Sequence, residues 1–225
     1  MNLDNNTTGM DRRTMIRGGV AAAAVAAGVG MVAESASAGN PANAIPNLYP
    51  NWNALQFRSI QADENAHVAF LVTALGAAAR PKPTFVNLRQ PNIRAFATVS
   101  MALENTGCGA YLGAAPIIFS RQYLAAAGSI ALIEARHAGF LDVLFNQVST
   151  VNLFGQEQDF ETPFTIAQVV ASAGPFITGL NGGPPLTFNA TPSRNNDIAI
   201  LNFALALEYL EAEFYNVNVP VFFPG

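Results

Sequence analysis

The chain contains two histidines, and each stands three residues after a glutamate. Glu64 and His67 lie in "ADENAHVAFL", Glu134 and His137 in "IEARHAGFL". Residues at i and i+3 share one face of a helix, and here that face is otherwise apolar. The first stretch gives the seam Phe57, Ile60, Glu64, His67, Leu71, Ala74. The second gives Tyr123, Ala127, Ile130, Glu134, His137, Leu141, Leu144. Two more acids interrupt apolar seams in the same way: Glu104 in Ala97, Met101, Glu104, Cys108, Tyr111, Ala115, and Glu208 in Leu201, Leu205, Glu208, Ala212, Tyr215. A carboxylate or imidazole turned toward a core must pair or bind something, because burying it unsatisfied is costly.

If the four seams face one another, four carboxylates and two imidazoles converge. Four buried carboxylates repel one another and lose hydration worth several kcal/mol each. One outcome is a metal-free bundle in which some of them take up protons and hydrogen-bond to one another. The other is a pair of divalent cations, whose four positive charges balance the four negative ones while the imidazoles add neutral nitrogen donors. Oxygen-rich coordination with two nitrogens favours iron or manganese over metals that seek thiolates. Glu211 is a substitute ligand if the phase of its helix is displaced, whereas Glu213 points outward and is expected to be solvated. Cys108, one turn after Glu104, reads as a small packing residue, since a thiolate would disturb a hard-ligand site.

Four long helices must position these groups. The apolar period and the cap signals place them at about 53–78, 92–115, 121–147 and 196–217. The last is expected to open on the "NND" cluster and to close at Pro220. Each carries a stripe of the width a helix bundle needs. Between the third and fourth helices, a long turn-rich connection holds one short amphipathic helix at about 163–173. The expected fold is therefore all-α: a four-helix bundle within a single domain at 53–225, with a long loop and a short helix before its last long helix. Residues 39–52, rich in proline and asparagine, read as an extended lead-in. The tail "VPVFFPG" fits either a strap that docks on the bundle or an oligomer contact.

Residues 1–38 have a different character. The Arg12–Arg13 pair precedes the mild run "GGVAAAAVAAGVGMVA", and "ASA" ends at Ala38. The run is short and weak for a transmembrane helix, and the pattern resembles a twin-arginine export signal. An exported, periplasmic or extracellular protein with no stable membrane span after signal removal is expected. Cys108 is the only cysteine, so no internal disulfide can form. With 11 lysines and arginines forming no stripe, and a net charge of −4, nucleic acid is not an expected partner.

The stretches "ADENAHVAFL", "ALENTGCGAYLGAAP", "IEARHAGFLDVL" and "DIAILNFALALEYLEAEFYN" resemble the ferritin-like domain family that includes desiccation-related proteins. The resemblance extends over nearly all of 53–217. In ferritin-like di-iron and di-manganese proteins, two helices give one glutamate each and two give Glu-x-x-His. The resemblance thus implies Glu64, His67, Glu104, Glu134, His137 and Glu208 as ligands of two iron or manganese ions. It also implies that Tyr111 and Tyr215 hydrogen-bond ligand carboxylates, although both fit plain packing equally well. The helix "DIAILNFALALEYLEAEFY" comes first in that family and last here, so the order looks circularly permuted. The implied activity is oxidation of metal or handling of O₂ or peroxide under stress. A non-catalytic stress-protective protein, whose metal only stabilises the bundle, is the alternative, and whether the chain is an enzyme stays open. A small homo-oligomer is expected rather than a storage shell.

Overall fold

The computed structural model describes residues 41–47 and 49–224. The expected export signal, residues 1–38, lies outside them. Five α-helices are present among the described residues: α1 (Trp52–Leu75), α2 (Ile93–Ala114), α3 (Arg121–Leu144), α4 (Ile166–Ala173) and α5 (Arg194–Phe222). The long helices α1, α2, α3 and α5 form the bundle, with α1 packed along α5 and α2 along α3. The architecture is all-α. A small antiparallel ribbon adds to it, pairing β1 (Thr84–Phe85) with β2 (Ile177–Gly179). It ties the loop after α1 to the connection before α5.

Local chemistry sets most helix ends. Asn92 Oδ1 accepts the Ala95 N–H at 2.8 Å to open α2, and Ser120 caps α3. Thr165 and Gln168 form a reciprocal capping box on α4. At the end of α1, Gly76 takes φ 55°, a conformation that strains any residue with a Cβ.

The cap of α5 departs from expectation. Ser193 caps it, and the "NND" residues sit inside the first turn with their side chains turned outward from the helix backbone. Asn196 Nδ2 donates to the carbonyls of Asn189 (3.0 Å) and Ile117 (3.3 Å). Asp197 accepts the N–H groups of Phe119 (2.7 Å) and Ser120 (2.9 Å) at the start of α3. Two turns on, Asn202 Oδ1 accepts the Arg80 N–H at 2.7 Å, and its amide donates to Ala78 O at 2.9 Å. Near the far end, Asn218 accepts the Gln90 N–H at 2.9 Å and donates to Leu88 O at 2.8 Å. All four side chains are buried, and together they satisfy backbone groups of the α1–α2 loop, the α2–α3 loop and the connection just before α5 from one helix.

The second departure is at the C-terminus. Pro220 does not close α5; the helix runs to Phe222 with Pro220 inside its last turn. Tertiary packing outweighs the lost hydrogen bond. Phe222 stacks on Phe96 at 5.6 Å between ring centroids, and Phe223 on Phe57 at 5.1 Å. Arg58 then donates to the terminal carbonyls of Phe223 (3.1 Å) and Pro224 (2.8 Å). The phenylalanine tail thus docks on its own bundle.

Two apolar clusters fill the interior. One gathers around Phe57, Ile60, Phe96, Leu103, Phe214 and Tyr215, the other around Leu71, Leu75, Tyr111, Ile130, Leu201 and Leu205. Along α1 the polar pair Glu64 and His67 falls between them. Replacing Asn202 by Ala should strand the Arg80 N–H and the Ala78 carbonyl, at a cost of about 2 kcal/mol. A lower chemical-denaturation midpoint with an unchanged slope checks this.

Candidate metal centre

Each long helix delivers its acid to one layer at mid-bundle. Glu64, Glu104 and Glu134 are 0 % exposed and Glu208 is 1 %, while His67 and His137 are 9 % and 6 %. The six residues singled out from the sequence therefore converge. They fall into two sets that could each hold a metal ion: Glu64, His67, Glu134 and Glu208, and Glu64, Glu104, Glu134 and His137. Glu64 and Glu134 belong to both.

The imidazoles present Nδ1 to this layer. His67 Nδ1 lies 3.2 Å from Glu64 Oε2, Glu134 Oε1 and Glu208 Oε2. His137 Nδ1 lies 3.0 Å from Glu104 Oε2 and 3.1 Å from Glu64 Oε1. Glu64 thus turns one oxygen to each histidine. Neither Nδ1–H can serve all the oxygens around it: Glu134 Oε1 beside His67 and Glu64 Oε1 beside His137 are buried with no aligned hydrogen bond, as is Glu134 Oε2. Such orphaned acceptors are rare in a dry interior and call for a partner that the polypeptide does not supply. A divalent cation accepts several oxygens and one nitrogen at once, so the donor set fits one.

The tyrosines fix the other two carboxylates. Tyr111 donates to Glu208 Oε1, and Tyr215 donates to Glu104 Oε1 at 2.5 Å. Each bond crosses between α2 and α5, joining a tyrosine to the glutamate of the other helix. Burial, then the adjoining Glu208 and Glu104 charges, raise both phenol pKa values well above the ordinary one, so both keep the proton they donate. With Oε1 held by a phenol, Glu104 and Glu208 each turn Oε2 toward a histidine.

Two features escaped the sequence reading. Asp63, one residue before Glu64 and off the seam, places Oδ2 at 3.2 Å from His137 Nε2. The only sequence hint was its position beside Glu-x-x-His. Gly107 leaves space for Glu134: a Cβ there would stand 2.6 Å from Glu134 Oε2. A glycine in mid-helix costs about 1 kcal/mol relative to alanine, which marks the position as one where something else needs the room. Glu211, the substitute ligand, is 3 % exposed but belongs to neither donor set. Burial, then Glu134, raise its pKa well above the ordinary value.

The remaining candidates behave as expected. Glu213 faces outward and pairs with Lys82 at 2.8 Å. Cys108 is buried outside both donor sets, and burial followed by Glu134 raises its thiol pKa. A cleft of about 180 Å³ between α2, α3 and the long connection is lined by Asn105, Asp142, Ser149 and Glu161, and by none of the six.

Without metal the layer is electrostatically frustrated. Burial and the Glu104 charge push Glu64 up to about 7, and burial and Glu64 push Glu134 higher than its ordinary value. Burial alone would lower His137, but Glu104 and Glu64 outweigh it and raise it to about 11; His67 is raised likewise by Glu134, Glu208 and Glu64. A group whose folded pKa is raised stabilises the fold below its unfolded pKa, and that contribution is lost as pH rises through the folded value. The carboxyls and the imidazoles therefore slope the same way. The metal-free protein should melt progressively lower from about pH 5 to about pH 8. Metal affinity, which requires the ligands to lose their protons, should rise over the same range. Thermal melts of chelator-treated and metal-loaded protein across this range test both.

Gly107→Ala should separate metal binding from folding. The added methyl meets only the far end of a flexible side chain, so the helical circular dichroism and the metal-free melting temperature should be kept. Displacing the Glu134 carboxylate should nevertheless weaken metal binding by about tenfold, the low end of what disturbed ligand support costs.

No described helix is long and apolar enough to cross a membrane. No curated protein and no solved structure matches the chain significantly. The model of the ferritin-like domain matches residues 20–147 and 196–221, more than half of the chain. The unmatched interval is the long connection that separates α5 from the other bundle helices, consistent with a permuted helix order. With the bundle and its buried carboxylate–histidine layer, this match means that the chain belongs to the ferritin-like domain family.

Proposed function

We propose that the chain is an exported ferritin-like protein that holds two divalent cations, iron or manganese, and handles O₂ or peroxide, or oxidises metal, under stress. The observation that carries the two-cation reading is the sharing of Glu64 and Glu134 between both donor sets, with oxygens that no hydrogen bond satisfies. His67 and Glu208 would complete one position, His137 and Glu104 the other. When bound, an adjacent pair of redox-active ions supplies electrons and Lewis acidity to a small oxygen species.

The chain's own residues set the conditions. Tyr111 and Tyr215 keep their protons and orient Glu208 and Glu104. Asp63 favours the proton on His137 Nε2, which frees Nδ1 to bind metal. The apolar clusters on either side exclude bulk water and strengthen every charge interaction between them. Export is supported by the Arg12–Arg13 pair, the alanine-rich run and the "ASA" ending at Ala38. A twin-arginine route carries folded proteins, which suits a chain whose metals enter before export.

A second reading is favoured by the near-complete closure of the layer, in which the four glutamates are 0–1 % exposed. The metals would then only fix the fold, as in a desiccation- or stress-protective protein.

Elemental analysis of the purified native protein should find close to two metals per chain. Glu134→Ala should lose both ions while its helical circular dichroism persists, because Glu134 is common to both positions. A native protein free of metal overturns the reading. Turnover of Fe(II) with O₂, or of peroxide, that disappears in Glu134→Ala supports the redox role; inertness of the fully loaded protein supports the structural one.

A further inference from the structure

The two donor sets are near-copies under exchange of α1 with α3 and of α2 with α5. Glu64 answers to Glu134, His67 to His137, Glu104 to Glu208 and Tyr111 to Tyr215. At two positions that reach this layer, an acid on one side has no acidic counterpart on the other. Gly107 on α2 answers to Glu211 on α5. Glu211 interacts foremost with Glu134 and Glu64, which both sets share, so it does not tell the halves apart. The other break does. Asp63 precedes Glu64, whereas Ile133 precedes Glu134. Asp63 Oδ2 stands 3.2 Å from His137 Nε2, and among the described residues no side chain hydrogen-bonds His67 Nε2.

We propose that Asp63 makes the two metal positions unequal, so that the His137 half binds its divalent cation more tightly and fills first while the His67 half is the weaker, exchangeable one. The inference rests on the two-cation reading. An imidazole that donates Nε2–H to a carboxylate is locked in the tautomer whose Nδ1 carries the lone pair, with its ring fixed and its basicity raised. His67 also turns Nδ1 to the layer, but no side-chain carboxylate among the described residues backs its Nε2, so nothing on that side locks its tautomer or raises its basicity. The Asp63 side chain is 43 % exposed. Its part is therefore that of a positioning residue at the edge of the layer rather than a ligand within it.

Titration of the metal-free full-length protein with Co²⁺, followed by visible absorption and by calorimetry, should resolve two steps. Asp63→Asn should weaken the tighter step by about 10- to 100-fold and leave the weaker one in place. Asp63→Glu should restore part of the difference. Ile133→Asp, which gives α3 the acid that α1 already has, should strengthen the weaker step. A loss of fold would weaken both steps together, so the change in their separation isolates the positioning role. Two equal steps in the wild type, or equal weakening of both by Asp63→Asn, overturns the inequality while the two-cation reading stands. No uptake of Co²⁺ by the wild type overturns both.

Discussion

Burying four carboxylates in one layer between two apolar clusters is the constraint around which this bundle is arranged. Each buried ion forfeits hydration worth several kcal/mol, and mutual attraction recovers this only when every oxygen finds a partner. Here the partners are distributed unevenly. Glu104 and Glu208 each have one oxygen held by a tyrosine, and every Glu in the layer approaches a histidine. Glu64 and Glu134 retain oxygens with no aligned donor. These two residues lie at the centre of the layer, shared by both donor sets, where positive charge would be most strongly bound. Protonation relieves part of the strain in the metal-free chain; divalent cations would relieve it without neutralising the ligands.

The rest of the fold holds four helices at the distance this layer requires. The last helix, α5, does much of that work. Its buried Asn196, Asp197, Asn202 and Asn218 bind the backbone of the loops that join the other helices, so it is fixed along most of its length. A helix secured by its side chains to the α1–α2 and α2–α3 loops need not be held by its sequence neighbours. This is physically why it can come last in the chain and still close the bundle. The long connection before it is also committed: the Phe164 N–H donates to Gly109 O at 2.8 Å, and a Cβ at Gly109 or Gly113 would collide with Phe164. The connection thus lies directly on α2, and the ribbon Thr84–Phe85 with Ile177–Gly179 fastens its far end.

Asymmetry enters through residues beside the ligands, not through the ligands themselves. The donor sets contain the same residue types in matching places, yet Nε2 of His137 meets the carboxylate of Asp63 and Nε2 of His67 meets no side chain among the described residues. Outer groups of this kind orient a ligand and tune its basicity, and they are free to differ where the ligands are not. A layer in which a carboxylate backs one imidazole and not the other can keep the same six donors and still treat two cations differently.

The sequence alone determined the four helices and the six residues at their seams, because helical period is a local property and a charged residue on an apolar stripe stands out wherever the stripe leads. The burial of Glu64, His67, Glu104, Glu134, His137 and Glu208 follows from that period without knowledge of any neighbour. Only the tertiary structure decided which groups meet. Tyr111 binds the glutamate of α5 and Tyr215 that of α2, a crossing invisible along either helix. Asp63 sits off its own seam and matters only because His137 of another helix faces it. Gly107 is informative only once Glu134 is beside it. Pro220 reads as a helix stop until Phe96 and Arg58 hold the turn that contains and follows it. Each of these depends on the distance between two chain segments remote in sequence, and only packing sets that distance.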